Sequence, residues 1–295
     1  MKDRFSGLHP AVNFCYFALV IGFAMAVQHP VAQAVSLVCA LLYARQLSDH
    51  KGFSSVLKLS LPLALFTAAL NPLFNHRGAT PLFALPTGSF VTLESLLYGL
   101  SAGAMLVAVL AWFICFNACI SQDKFLFLFG RALPGLSLVV SMTLGFVPRF
   151  VKQYRAVSDA QKGLGRDMAR GNWLQKARNA AAVLSITLTW ALENAADTAD
   201  SMKSRGYGGK RSRYSIYPFT RLDGCFLALF LLSGGALIFF AIRGCFAFTY
   251  FPGLAYAAPN ALDGVAFGLY AIVCAAPMLY NLWEEKRWNC LHSKI

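Results

Sequence analysis

Two short stretches combine glycine with a cation or an apolar residue at what read as helix ends: Gly163-Leu164-Gly165, followed by Arg166, and Ser204-Arg205-Gly206. Glycine just past the last helical residue supplies the left-handed turn that stops a helix, and a cation there suits the negative end of the helix dipole. An exposed terminus of this kind fits an acidic groove on a partner protein; the residues alone leave a solvated or lipid-headgroup-binding face equally open. A second constellation is acidic. Glu193, Asp197, Asp200 and Ser204 fall at spacings of four, three and four and form one stripe on a helix. Such a stripe can hold a metal ion or relay protons, but no histidine accompanies it, and pairing with nearby Lys and Arg is its commoner use. Asn75-His76-Arg77 is a third candidate, with no further metal ligand placed by spacing; a turn between spans is the simpler reading.

Other chemistry is missing from the pattern. Gly209-Lys210 is followed by Arg211, so no phosphate-binding GxxxxGK[ST] loop is formed. No Ser/His/Asp or Cys/His arrangement stands out on a shared element, and the expectation is a chain without catalytic, cofactor or metal residues. Eight cysteines (15, 39, 115, 119, 225, 245, 274 and 290) are scattered, mostly within apolar segments, with no CxxC. They read as small hydrophobes rather than zinc ligands or a disulfide framework; Cys115 and Cys119, four apart, can share a helix face.

The elements that carry these residues are set by composition. Of 295 residues 57% are hydrophobic and 13% charged, and mean hydropathy is +0.54. A soluble domain carries about a quarter charged residues, so an all-α, polytopic membrane protein is expected. Six apolar runs approach or exceed the ~20 residues needed to span a bilayer: 12–28, 31–47, 57–73, 92–120, 222–242 and 262–282. Lys2, Arg4 and Ala24-Met25-Ala26 imitate a signal peptide, but the orientation below works best if that segment stays.

A seventh apolar stretch, 125–147, contains Gly130, Arg131, Pro134, Gly135 and Gly145. Charge decides how it is read. Between Arg149 and Arg221 lie 14 Lys/Arg against five acids, net +9 of the chain's +13. The positive-inside rule puts that block in the cytoplasm. With Lys2 and Arg4 also inside, four crossings return the chain inside at Lys124, so 125–147 must not cross an odd number of times. It is therefore read as in-plane or re-entrant, with both termini cytoplasmic. Only Arg77 and Arg243 of the 26 basic residues then lie outside. Nucleic acid is a poor partner for this charge, which topology accounts for.

Three regions follow: an N-terminal membrane region 1–147, a cytoplasmic region 148–221 and a two-span region 222–295. The middle one divides into two helices by its end signals. The first runs from Pro148, a suitable first-turn residue, toward Gly163-Leu164-Gly165. The second opens at Asn172, with Gln175 three residues on, and runs without glycine to Ser204 or Arg205, with Gly206 just beyond. About 33 residues make a rod of roughly 50 Å.

Several stretches, in order, carry a resemblance: His9-Pro10; 71–78 (NPLFNHRG) and 80–83 (TPLF); 92–99 (TLESLLYG); 146–150 (FVPRF); 159–165 (DAQKGLG); and 200–208 (DSMKSRGYG). Together they span roughly residues 8–215. The chain resembles the transmembrane T component (EcfT/CbiQ-like) of energy-coupling factor (ECF) transporters, modular ABC-type importers of vitamins and metal ions in prokaryotic plasma membranes. The resemblance implies two coupling helices, each ending in an Ala-Arg-Gly-like tripeptide that docks on one of two ATPase subunits. It also implies a small membrane S component that binds the substrate, and ATP bound by the ATPases alone. Ser204-Arg205-Gly206 matches the second tripeptide with a small residue in place of Ala. Gly163-Leu164-Gly165 occupies the first, with Leu164 where the family has Arg. Arg166, or Arg170 within Ala169-Arg170-Gly171, is positioned to supply the cation; otherwise that end docks through apolar contact. The alternative is a self-contained secondary transporter or channel, for which Glu94 is nearly the only acid inside a span. An enzyme in the membrane is the remaining reading.

Overall fold

The computed structural model describes residues 3–47, 50–75, 78–84, 90–130, 134–167, 171–207, 217–251, 253, 255–256 and 261–292. Nine α-helices are described: α1 (Pro10–Ala26), α2 (Pro30–Leu47), α3 (His50–Phe74), α4 (Leu93–Cys119), α5 (Gln122–Phe129), α6 (Pro134–Gly163), α7 (Trp173–Ser204), α8 (Arg221–Ile242) and α9 (Ala261–His292). A 3₁₀ turn, Phe5–Gly7, precedes them. Two short antiparallel hairpins complete the description, β1 (Pro81–Ala84) with β2 (Phe90–Thr92) and β3 (Phe248–Thr249) with β4 (Ala255–Tyr256). The protein is an all-α polytopic membrane protein. Five helices are long and apolar enough to cross a bilayer: α2, α4, α6, α8 and α9. α1 and the Ser60–Phe74 part of α3 are apolar but shorter.

The chain forms two compact units, residues 1–125 with 217–295, and residues 126–216. In the first, α1, α2, α4, α8 and α9 pack around an aromatic core, and α3 packs against α4. Trp112, Tyr16, Tyr43, Tyr270 and Phe17 are fully buried there. Burying Trp and Tyr without satisfying their polar atoms is costly. Trp112 Nε1 donates to Ser36 Oγ at 3.0 Å, and Tyr16 OH donates to the Cys274 carbonyl at 3.2 Å. Cys115 and Cys119 do share the buried face of α4, and none of the eight cysteines is joined in a disulfide. α3 and α4 approach so closely that a Cβ on Gly99 or Gly103 would stand 2.8 Å from the carbonyl oxygen of Ala68 or Ala64. This is small-residue packing, which lets backbones meet in lipid, where apolar side chains gain nothing by leaving the solvent.

The 3₁₀ turn closes one end of this unit. Asp3 Oδ1 accepts from Asn281 Nδ2 of α9 at 2.6 Å, and Asp3 Oδ2 from Tyr43 OH of α2 at 3.2 Å. Lys124 of α5 donates to the Ser6 carbonyl and, at 2.8 Å, to the Cys119 carbonyl. Three residues further on, the His9 N–H donates to Asp223 Oδ1 of α8 at 2.9 Å. Asp223 also closes the α8 capping box with Thr220, accepting from the Thr220 N–H at 2.9 Å. The chain thus leaves this unit at Lys124 and re-enters it at Thr220 on one and the same end, held by Ser6 and His9.

His9 also caps α1, its Nδ1 accepting from the Ala11 N–H at 3.2 Å, which requires an unprotonated Nδ1. Burial lowers the His9 pKa from its ordinary value, opposed by Asp223. The unfolded chain therefore takes the proton more readily, so this contribution is complete above about pH 6.5 and is lost as pH falls through the lowered folded value. Solubilised protein is expected to melt at lower temperature at pH 5 than at pH 7. His9→Asn, which keeps a capping acceptor, should flatten that slope; an unchanged slope would assign it elsewhere.

In the second unit the structure corrects one boundary. The first long helix does not open at Pro148; it opens at Pro134 and runs unbroken through Gly145 and Pro148 to Gly163. The first-turn proline signal belongs to Pro134. Pro148 removes one hydrogen bond in mid-helix, a cost of about 3 kcal/mol or more in an isolated helix, which full turns of helix on either side carry. The segment 125–147 thus contains the end of α5, at Phe129, and the first half of α6, from Pro134.

Candidate functional site

α6 and α7 are rods of 30 and 32 residues. They pack through Phe150 and Trp190, ring centroids 6.4 Å apart, beside an apolar groove of about 380 Å³ lined by Phe146, Val147, Val151, Ala191 and Ala195. α7 starts as its sequence predicts, with the Asn172 N–H donating to Gln175 Oε1 at 3.3 Å.

The two rods end alike. At the first end, the Leu164 N–H donates to the Ala160 carbonyl, Gly165 to Lys162 and Arg166 to Gln161, at 3.2, 3.0 and 2.9 Å. At the second, Arg205 donates to Ser201, Gly206 to Lys203 and Tyr207 to Met202, at 3.3, 2.9 and 3.0 Å. Gly165 and Gly206 have φ of +75° and +72°. Both ends are Schellman caps, in which a left-handed residue lets amides past the helix satisfy its last carbonyls. A side chain at either glycine would be strained. The chemistry before each glycine is duplicated too. Asp159 pairs with Lys162 at 3.2 Å, and Asp200 with Lys203 at 3.7 Å, both on exposed surface. A DxxKxxG pattern therefore occurs twice, 41 residues apart, a repeat the motif reading missed although the spacing displays it.

The two ends differ in charge at the residue before the left-handed glycine. Arg205 and Leu164 occupy the same place in the two caps, both exposed, Leu164 at 72%. Among the described residues Arg205 pairs with no carboxylate. Ser204 is exposed, and its hydroxyl donates to the Ser201 carbonyl at 2.9 Å. Gly163 is the last residue of α6 and Arg166 follows the cap, exposed. Arg170 lies outside the described residues. A helix stop alone does not make a docking end: Arg243-Gly244 closes α8 with the same bonding pattern, Gly244 at φ +81°. What sets the two ends of the second unit apart is their duplicated DxxKxxG context at the tips of long, charged rods.

The other candidates resolve into structure. Glu193, Asp197 and Asp200 are exposed along α7, with Asp200 paired to Lys203. Among the described residues no group of three or more His, Cys, Asp or Glu is gathered as metal ligands. Glu94 is buried at the start of α4, where it accepts from Thr80 Oγ1 at 2.9 Å and fastens the 78–80 segment. Asn75 takes part through its carbonyl, which accepts from Ser95 Oγ at 2.6 Å. His76 and Arg77 lie outside the described residues.

Comparison with known proteins agrees with this architecture. The chain matches the CbiQ family, cobalt transport protein, over residues 6–216. The energy-coupling factor transporter transmembrane protein EcfT of Lactobacillus helveticus is 33% identical over 107 residues, 36% of this chain and 39% of that protein. EcfT of Leuconostoc gelidum is 29% identical over 110 residues, 37% of this chain and 40% of that protein. EcfT of Listeria innocua is 32% identical over 102 residues, 34% and 38% of the two chains. The matched part thus spans about two-fifths of the length of these relatives. The family match takes in α1 to α7 and both duplicated helix ends, and on that ground the chain belongs to the CbiQ cobalt transport protein family, the membrane components of transporters.

Proposed function

We propose that the chain is the transmembrane coupling component of an ECF-type importer, joining two ABC-type ATPases to a small membrane S component. The observation that carries this reading is the pair of caps with the same bonding pattern at Leu164-Gly165 and Arg205-Gly206, one per rod and therefore one per ATPase. ATP is bound and hydrolysed by the partners; this chain is non-catalytic and binds no cofactor. Opening and closing of the ATPases moves α6 and α7, and their apolar faces pass that motion to the S component. An exposed row on α7, Leu184, Leu188 and Leu192, suits such a contact. The S component selects the cargo, a vitamin or a metal ion. The complex resides in a prokaryotic plasma membrane with both termini and the net +9 block in the cytoplasm.

A self-sufficient secondary transporter would need titratable groups facing a path within the spans. Glu94, the best such candidate, is engaged by Thr80 at a helix start. The test is purification of the tagged chain from its native membrane in mild detergent, with mass spectrometry of what accompanies it. Two ATPases and a small hydrophobic protein are expected. A chain that emerges alone, under conditions that keep known transporter complexes intact, would overturn the proposal.

A further inference from the structure

The two caps share a backbone but not a charge, and the surroundings of Leu164 hold what its side chain lacks. Directly behind the first cap lies an open cleft of about 580 Å³. Its walls are Gly165 and Arg166 from the tail of α6, and Gly171, Gln175, Arg178 and Asn179 from the start of α7. The surface is mostly polar, and the two glycines leave it unobstructed by side chains of their own. Asn179 Nδ2 donates to the Asp167 carbonyl at 3.0 Å, tying the segment after the cap to α7. Among the described residues neither Arg166 nor Arg178 lies within ion-pair distance of a carboxylate, and both are exposed. The first turn of α7 adds the positive end of its dipole. Two unneutralised guanidiniums and a helix start around one cleft favour a carboxylate, which arginine binds in a fixed, two-pronged geometry.

We propose that this cleft is the charged half of the first docking end. It receives an acidic side chain of one ATPase between Arg166 and Arg178, while Leu164 makes the apolar contact at the tip. The inference rests on the coupling function proposed above. An ATPase is favoured over lipid headgroups because the cleft adjoins the cap that duplicates the one bearing Arg205. The two ends then grip differently. The second uses a single cation on the cap, the first an apolar cap with its cations set behind it on two different helices. Only α7 carries Arg178, so a rod joined to the first ATPase also involves its neighbour.

The experiment counts ATPases bound to the chain by native mass spectrometry of the detergent-solubilised complex, in nucleotide-free buffer so that the ATPases do not hold each other. Wild type is expected to carry two. The double variant R166E/R178E should carry one and Arg205→Glu the other one, while the triple variant should carry none. Arg178→Lys should retain both at low salt and lose one as salt rises, since an ammonium lacks the two-pronged contact and exposed pairs are screened over about 8 Å at physiological ionic strength. All three arginines are exposed, so the variants should fold as wild type does. A double variant that keeps two ATPases overturns this inference and leaves the coupling function standing. So does one that keeps two ATPases and loses only binding to anionic vesicles. A wild-type chain that carries no ATPase overturns the coupling function and this inference with it.

Discussion

Arg205→Glu is expected to abolish stable association with one ATPase while leaving the chain in the membrane and folded. Arg205 is exposed at the cap of α7 and takes no part in packing among the described residues, so the fold should not register its loss. Its backbone N–H, which donates to the Ser201 carbonyl, is kept by any residue. On the coupling function proposed above, reversing the charge at this docking end replaces an attraction by a like-charge contact worth several kcal/mol. A change of about 3 kcal/mol corresponds to a more than 100-fold rise in Kd. Arg205→Lys should fall between, because lysine keeps the charge and loses the planar fork. The measurement is titration of purified ATPase onto the chain in nanodiscs. Equal affinity for wild type and Arg205→Glu would remove Arg205 from the interface.

Gly103→Leu is expected to destabilise the first unit. A Cβ at this position would lie 2.8 Å from the Ala64 carbonyl oxygen, and a backbone atom cannot swing aside. α3 and α4 would have to separate, losing contacts along the Gly99 to Gly103 seam. Overpacking of this kind costs typically 1–3 kcal/mol, and at the upper end this lowers Tm by roughly 5–10 °C in a chain of this size. Gly235→Leu is the matched control, since a Cβ there meets nothing within 4 Å. Melting both variants in the same detergent separates the two cases. Equal Tm values would mean that the α3–α4 contact is not as close as described.

Much of this was legible in the residues because helix ends and apolar length are local properties. Asn172 with Gln175, and Gly206 after Arg205, mark the two ends of α7 to within a residue. Pro148 misled for an equally physical reason. A proline preceded by apolar, glycine-containing sequence reads as a start, and only the continuity of α6 from Pro134 reveals that the helix tolerates it. The close α3–α4 seam was written as Gly99-x-x-x-Gly103, a spacing that marks packing in membranes, but its partner helix could not be named from sequence. The cleft at Arg178 was less accessible still. Nothing in the spacing between Arg166 and Arg178 shows that they flank one space; that depends on the turn at Gly165 and the entry angle of α7.

The single clasp at Ser6 and His9 bears on how such a chain can change over evolutionary time. Both junctions of the 126–216 segment are fixed to one short turn, Lys124 through Ser6 and Asp223 through His9. An insert whose entry and exit share one mooring can lengthen, shorten or be traded between relatives without re-threading its host. The host in turn can drift to suit its lipids while the insert keeps its own contacts. Modularity of this kind lets a segment and its host vary separately, and here it is secured by a handful of hydrogen bonds on seven residues near the start of the chain.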